Sequence, residues 1–544
     1  MSTAPQNAAA RSRHLLEAGL ATLLVVGLLA WRYDQESERL AYFDRYSLPA
    51  FDAHVYLAMA ERPDVFTVAP WGYRWLWPTL VHLLPGLESP AAFLGLAAAC
   101  LAASGLLLYA FLRRLGARPA GALLGLGAFL ASEPVRQTFR DPMLAEPLGG
   151  LLWIGLLLAL ESGWLGAAAL CLALGALTKE VFVLFLPGVV LLLRPRLGLG
   201  RATAVTAAMA VPALVATAVL RLWWIRLPAS GDTAAFSLAQ IIPVVGAILS
   251  SAAEWGPDAL MVGVLPLALL GVARRGAQPL LERYGLLGVL TFGLPFAAGG
   301  YVGAPGLAPV FFTADVARLL LYAFPCLLPI ALHAIGLVRE APLPASPPRT
   351  DRRQWLLAVM ALAVAVAPLG LLDRYRRADL RGPRDGGRVL AFCRQSLAIA
   401  RRIERGKLVD YQVRERRFYV GRSYPHYLEH MRWFLLGGWG HAPHYGTEAI
   451  EMHESRASFV LPCFDPKPLQ LVLDLGAATQ TPVRVEVNGR GVGRMTAAPE
   501  VSRERFLIPR EALFRGDNEV TLVASHPESR VRLELVRIRS LDGE

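Results

Sequence analysis

Charge is what this chain has least of. Asp, Glu, Lys and Arg make up 18% of its 544 residues, against roughly 25% in soluble domains. With 54% hydrophobic residues and a mean hydropathy of +0.41, that shortage excludes a large soluble enzyme. Cysteine is scarce too: Cys100, Cys171, Cys326, Cys393 and Cys463. The first three sit in apolar runs and read as small buried hydrophobes. No Cys/His spacing of the metal-binding kind occurs. Cys393 and Cys463 can pair if the tail is outside the membrane, but their spacing does not require it. Lysine is rare while Arg, Ala, Leu and Gly abound, the composition of a GC-rich bacterial genome. No small-residue cleavage site follows the apolar run 15–31, so it reads as an uncleaved first helix rather than a signal peptide.

Long apolar runs fill residues 15–372 and then stop, the pattern of an α-helical polytopic membrane protein. Candidate spans lie near 15–31, 91–113, 118–132, 143–160, 163–178, 180–194, 202–225, 257–273, 283–300, 315–338 and 354–372, about eleven transmembrane helices. Several are shorter than the roughly 20 residues that cross a bilayer. With a cytoplasmic N-terminus, alternation puts three arginine groups on the inner side: Arg113, Arg114 and Arg118; Arg194, Arg196 and Arg201; and Arg274 and Arg275. The arginines of 339–353 join them. That asymmetry obeys the positive-inside rule. It also accounts for the net charge of +12 without a nucleic-acid partner. The expected location is the bacterial cytoplasmic (inner) membrane, with the C-terminal part extracytoplasmic.

Three segments follow: a transmembrane domain over 1–372, a mixed helix and loop region over 373–465, and a β-rich domain over 466–544. In the last, period-two alternation predicts strands near 469–474, 483–488, 505–508, 519–523 and 530–538. Asn488-Gly489 and Gly516-Asp517-Asn518 are turn signals. The run Val485-Glu486-Val487-Asn488-Gly489, then Phe506-Leu507-Ile508-Pro509, then Gly516-Asp517-Asn518-Glu519-Val520 resembles galactose-binding-like jelly-roll domains. The resemblance implies a β-sandwich that either contacts glycan or only packs and positions.

The same topology places four polar interruptions on the outer face. They are the loop 32–75, the stretch 136–141, the pair Lys179-Glu180 and the helix start with Asp315 and Arg318, whose two charges, three apart on one face, can satisfy each other. Ionisable groups at membrane depth are costly and are functional candidates. The loop carries Phe51-Asp52-Ala53-His54-Val55-Tyr56 and then Pro70-Trp71-Gly72-Tyr73-Arg74-Trp75-Leu76-Trp77-Pro78. Further on come Leu112-Arg113-Arg114-Leu115-Gly116, Arg140-Asp141-Pro142, Leu177-Thr178-Lys179-Glu180 and Leu186-Pro187. In this order the motifs resemble the GT-C superfamily of polytopic glycosyltransferases. The resemblance covers about residues 15–200. It implies an outward active site, a polyprenyl-phosphate-sugar donor and a catalytic acidic residue, a carboxylate, in the first loop, where Asp52 matches.

The chemistry of the residues runs alongside. An acceptor hydroxyl needs a carboxylate to take its proton, a role Asp52 can fill. Charge growing on a leaving lipid phosphate needs a cation, which Arg74, Lys179 or Arg318 can supply. One base fits inverting displacement. His54, Tyr56, Arg140, Asp141 and Glu180 complete the candidate substrate contacts. The family's paired acidic residues are missing from the first loop, since Asp44, Glu61 and Asp64 lie too far from Asp52. No cofactor is therefore implied, and a divalent metal is possible without being called for. The acceptor is left open among glycan, lipid and protein.

Each residue also has a plainer role. Asp52 can cap a helix over 53–60. Tyr56, Trp71, Trp75 and Trp77 fit an interfacial aromatic belt. Arg74 can snorkel to lipid headgroups, and Arg140 can pair with Asp141. Two other functions compete: a non-catalytic scaffold binding surface glycans, and a lipid or solute transporter. The sequence offers no internal repeat for a transporter, and carboxylates in mid-helix are nearly absent.

Overall fold

The computed structural model describes residues 4–40, 56, 59–60, 74–85, 89–218, 241–274, 277–298, 300–301, 310–311, 313–338, 352–366, 409–412, 438–439, 450–463, 466–514, 516–526, 528 and 530–541. Asp52, His54, Trp71 and Cys393 lie outside these residues. The chain divides into two compact units: 1–61 with 71–226 and 234–373, and 62–70 with 227–233 and 374–544.

The first unit is helical, as its apolar runs require. It begins with α1 (Ala4–Leu40), α2 (Leu76–His82), α3 (Ser89–Arg114), α4 (Pro119–Leu130) and α5 (Glu133–Arg140). Next come α6 (Glu146–Ser162), α7 (Leu165–Thr178), α8 (Val181–Leu184), α9 (Leu186–Leu197) and α10 (Leu199–Ala218). Then follow α11 (Ile241–Ser250), α12 (Ala252–Ala259), α13 (Val264–Ala273), α14 (Gln278–Ala298), α15 (Thr313–Leu319), α16 (Phe324–Ala334) and α17 (Arg352–Val366). Proline opens several of them, where its missing N–H costs nothing: Pro119 in α4, Pro147 in α6, Pro187 in α9 and Pro325 in α16. Gly163 ends α6 in the left-handed region, at φ 73°. Arg32 of α1 donates to the carbonyls of Leu130, Ala131 and Ser132, covering the otherwise open end of α4.

Four described helices are long and apolar enough to cross a membrane: Leu15–Ser37, Ala91–Arg114, Leu199–Ala218 and Trp255–Ala273. A fifth arises if the bent pair Val316–Tyr322 and Phe324–Ala334 counts as one span. The expectation of about eleven is thus met only in part. Three apolar helices, Pro119–Leu130, Leu165–Thr178 and Arg353–Ala365, are shorter than a full membrane span. The bent pair turns by 73°, and Pro325 explains the break. It has no N–H for the carbonyl of Leu321, so the helix cannot run through.

Among the described residues of this unit, many large apolar side chains face outward and several charged ones are buried. Leu15, Leu16, Leu20 and Leu23 of α1 are exposed, as are Trp355, Leu356 and Val359 of α17, while Arg32, Glu36, Glu146, Glu161, Lys179 and Arg283 are buried. That inversion suits hydrocarbon surroundings. The helix α6 packs against α3 and α7, and therefore lies inside the bundle.

The second unit is built of antiparallel sheets. Its strands are β3 (Val409–Gln412), β4 (Ile450–Glu451), β5 (Arg456–Cys463), β6 (Leu469–Gly476), β7 (Thr481–Val487), β8 (Arg490–Ala497), β9 (Ser502–Ile508), β10 (Gly516–Ala524) and β11 (Arg532–Ser540). Two short antiparallel strands of two residues each lie in the first unit, β1 (Gly300–Tyr301) and β2 (Val310–Phe311). One sheet runs β5-β10-β7-β8; the other runs β3-β11-β6-β9, with β4 also on β11. Alternation in β7 is the predicted one, with Val483, Val485 and Val487 buried and Pro482 and Arg484 exposed. Three strands before residue 466 complete these sheets. Phe506 of one sheet packs against Gly493 of the other, where a Cβ would come within 2.5 Å of its ring. The predicted turn at Asn488-Gly489 has φ of 53° and 79°, the sign a two-residue hairpin needs.

Candidate functional site

Three parts of the helical unit meet at one buried carboxylate. Glu146 stands in the first turn of α6, where the helix dipole favours a negative charge. Lys179 Nζ lies 2.5 Å from its Oε1 and Arg318 Nη1 3.6 Å from the same atom. Lys179 is the extended residue that ends α7, at φ −160° and ψ 135°. Because extended backbone sends successive side chains to opposite sides, its neighbour Glu180 serves a different partner. That partner is Arg74, just before α2. Its Nε and Nη2 reach the two Glu180 oxygens at 3.0 and 2.6 Å, and its Nη1 donates to Tyr56 Oη at 3.2 Å. The planar guanidinium fork matches the carboxylate at two points, which fixes its orientation as well as its charge.

Among the described residues of this cluster, three cations face two carboxylates. Burial works against the charge on Arg74, but Glu180 and Tyr56 more than offset it and hold its pKa above the usual arginine value. Burial pushes Lys179 below the usual lysine value; Glu146 pulls the other way, and the like charges of Arg318 and Arg74 act with burial. Side-chain exposure grades from 30% at Glu180, through 19% at Arg318 and 12% at Arg74, to 8% at Lys179 and 4% at Glu146. The cluster therefore opens at Glu180 and Arg318 and is closed at Glu146.

Of the residues singled out from the sequence, Tyr56, Arg74, Lys179, Glu180 and Arg318 come together here. The described ion pairs of Arg140 lie elsewhere, at the end of α5. Arg140 faces Glu36 and Glu133, each at 3.7 Å, and Arg136 pairs with the same two carboxylates at 2.8 and 3.3 Å. Asp141 is buried at the end of α5 and pairs there through its N–H with the carbonyl of Gln137. Asp52 and His54 lie outside the described residues.

The aromatic belt is corrected. Tyr56 is 1% exposed and Trp77 fully buried, its Nε1 donating to the carbonyl of Met143 at 2.9 Å. Trp75 is buried as well. These rings are interior packing around the polar cluster rather than anchors at a lipid boundary.

Glu146 is the residue that sequence reading missed. It sits four positions into an apolar run, 143–160, which is itself a signal, because a carboxylate there is costly unless paired. Glu161 was missed for the same reason. It is buried at the other end of α6 and is met by Arg196, Arg283 and Tyr284.

No protein-family model matches the chain, and no curated protein sequence matches it. Among solved structures, the arabinofuranosyltransferase AftD from Mycobacteria aligns at 20% identity and a TM-score of 0.34, covering 66% of this chain and 27% of that one. The CBM36-1 domain of a multidomain xylanase from the hindgut metagenome of Trinervitermes trinervoides aligns at 16% identity and a TM-score of 0.16, covering 20% of this chain and 91% of that one. A carbohydrate-binding module CBM36 in complex with calcium and xylotriose aligns at 14% identity and a TM-score of 0.15, covering 19% and 91%. The chain spans about a quarter of the arabinofuranosyltransferase's length, and scores this low carry neither fold nor activity over to it.

Proposed function

We propose that the chain is a membrane glycosyltransferase that moves a sugar from a polyprenyl-phosphate-linked donor to an extracytoplasmic acceptor, with Asp52 as general base. The observation that supports this reading is the buried cluster that gathers Arg74, Lys179 and Arg318 around Glu146 and Glu180. Three cations held close together are suited to a phosphate, because charge developing on its oxygens is stabilised by fixed positive groups.

In the reaction, the acceptor oxygen attacks the anomeric carbon while Asp52 takes its proton. The bond from that carbon to the phosphate oxygen breaks, and the electron pair leaves on the lipid phosphate. Negative charge on the phosphate grows as the bond stretches, and the cation cluster stabilises it. Inversion at the anomeric carbon follows from a single displacement. The bend at Ala323 also fits a transporter, whose broken helices line substrate sites; only a transferase forms a new glycosidic bond.

The test is a profile of glycans and lipid-linked sugars from three strains: wild type, deletion, and Asp52→Asn. The expected result is that Asp52→Asn reproduces the deletion, with a glycan linkage lost and its lipid-linked sugar accumulating. An Asp52→Asn profile equal to wild type, beside a changed deletion profile, removes Asp52 as the base.

A further inference from the structure

Tyr322 lies at the floor of this cluster, one residue before the break between α15 and α16. Its side chain is fully buried, and among the described residues its hydroxyl has no hydrogen-bond partner. Glu146, Arg74, Glu180 and Tyr56 are its electrostatic neighbours. The ring has a packing role that needs no hydroxyl. It stands 6.2 Å from Phe182 and 5.9 Å from Phe185, centroid to centroid, and Trp153 completes the aromatic group at 4.6 Å from Phe185. Phenylalanine would fill that space without a buried, unpaired O–H, and an unpaired buried donor costs stability.

The surroundings hold the hydroxyl where it is. Trp153 Nε1 donates to the Tyr322 carbonyl at 2.9 Å, fixing the backbone at the helix break. Gly149 of α6 faces the phenol, and a Cβ there would lie 2.1 Å from Tyr322 Oη. The helix thus carries no side chain at the one position that would displace the hydroxyl. Arg318, one turn before Tyr322, lies 3.6 Å from Glu146, and Lys179 lies 2.5 Å from the same carboxylate oxygen.

Resting on the glycosyltransferase reading, we infer that Tyr322 is a binding residue for the donor: its hydroxyl donates to a phosphate oxygen of the lipid-linked sugar once that phosphate sits between Lys179 and Arg318. The hydroxyl is left unpaired in the free protein and is paired in the complex.

The test uses the full chain in lipid nanodiscs, with a polyprenyl phosphate as the probe and Tyr322→Phe as the variant. Thermal unfolding is followed with and without the probe, and the dissociation constant is measured. The expected result is that free Tyr322→Phe unfolds at a temperature no lower than wild type yet binds the probe on the order of tenfold more weakly, the loss of a hydrogen bond to a charged group. Gly149→Ala, which pushes the hydroxyl aside, should weaken binding in the same direction. Equal binding by wild type and Tyr322→Phe overturns the inference and leaves the glycosyltransferase reading standing. A lowered unfolding temperature for free Tyr322→Phe also overturns it, because the hydroxyl is then already paired. No binding of the probe by wild type removes both.

Discussion

Glu146 and Glu161 occupy opposite ends of α6, about 22 Å apart along its axis, and each is a buried carboxylate met by two cations. Lys179 and Arg318 meet the first; Arg196 and Arg283 meet the second. One helix therefore carries two charged centres across the apolar bundle, and only the first lies beside Arg74 and Glu180.

Removing either carboxylate strands its cations. Glu146→Gln and Glu161→Gln should each destabilise the chain by roughly 3–5 kcal/mol, the usual cost of breaking a buried pair from one side. Glu180→Gln should cost less, since that side chain is 30% exposed. Thermal unfolding of the three variants in detergent checks the order.

The two centres should separate in function. Glu161→Gln leaves the cluster at Glu146 intact, so a folded preparation should bind polyprenyl phosphate as wild type does. Glu146→Gln releases Lys179 and Arg318 from their shared partner and should change that affinity. Titration of both variants with the probe is the measurement.

Arg74 should not tolerate Lys. An ammonium cannot span both Glu180 oxygens and also donate to Tyr56 in the geometry of the guanidinium. Arg74→Lys is expected to weaken donor binding by about tenfold, on the scale of one charge-assisted hydrogen bond. The dissociation constant for polyprenyl phosphate reads this directly.

Lys179 gives a pH signature. Burial, with Arg318 and Arg74 nearby, holds its pKa below the usual lysine value. A cation with a lowered pKa is fully charged only below that pKa and loses its charge as pH rises through it. Phosphate affinity in wild type should therefore fall on the alkaline side earlier than for an ordinary lysine. Lys179→Arg, which stays charged, should move that fall to higher pH. Overlaid alkaline limbs for the two proteins would contradict the role given to Lys179.

The sheet unit has its own test. Asn488 has φ of 53° and bonds to the Ala512 carbonyl, Asn518 and the Glu519 N–H. Asn488→Ala keeps the unfavourable backbone and removes those bonds, so it should cost roughly 1–3 kcal/mol. Hydrogen exchange over residues 466–541 of the full chain should speed up, with exchange in α6 unchanged.

Much of this organisation was legible in the sequence because it depends on period and composition. Alternation marked β6, β7, β9, β10 and β11, and Asn488-Gly489 marked the turn from β7 into β8, a strand whose own alternation is too weak to stand out. Tyr56, Arg74, Lys179, Glu180 and Arg318 stood out as polar groups in an apolar chain. What the sequence could not pair was Arg74 with Glu180 or Lys179 with Glu146, because these contacts depend on how helices cross. Glu146 itself was hidden by its apolar run. The bend at Ala323 could have been read from Pro325, but an apolar stretch through 315–338 looks continuous to a hydropathy count. Short strands β3 and β4 carry too few residues to show a period at all.

The most direct test of the central claim compares two ligands of equal chain length, a polyprenyl phosphate and the neutral polyprenol, on the full chain in nanodiscs. If Arg74, Lys179 and Arg318 form a phosphate site, the phosphate binds at least tenfold more tightly, and Lys179→Gln removes most of the difference. Equal affinity for the two ligands would mean that these cations serve only to hold the helices together.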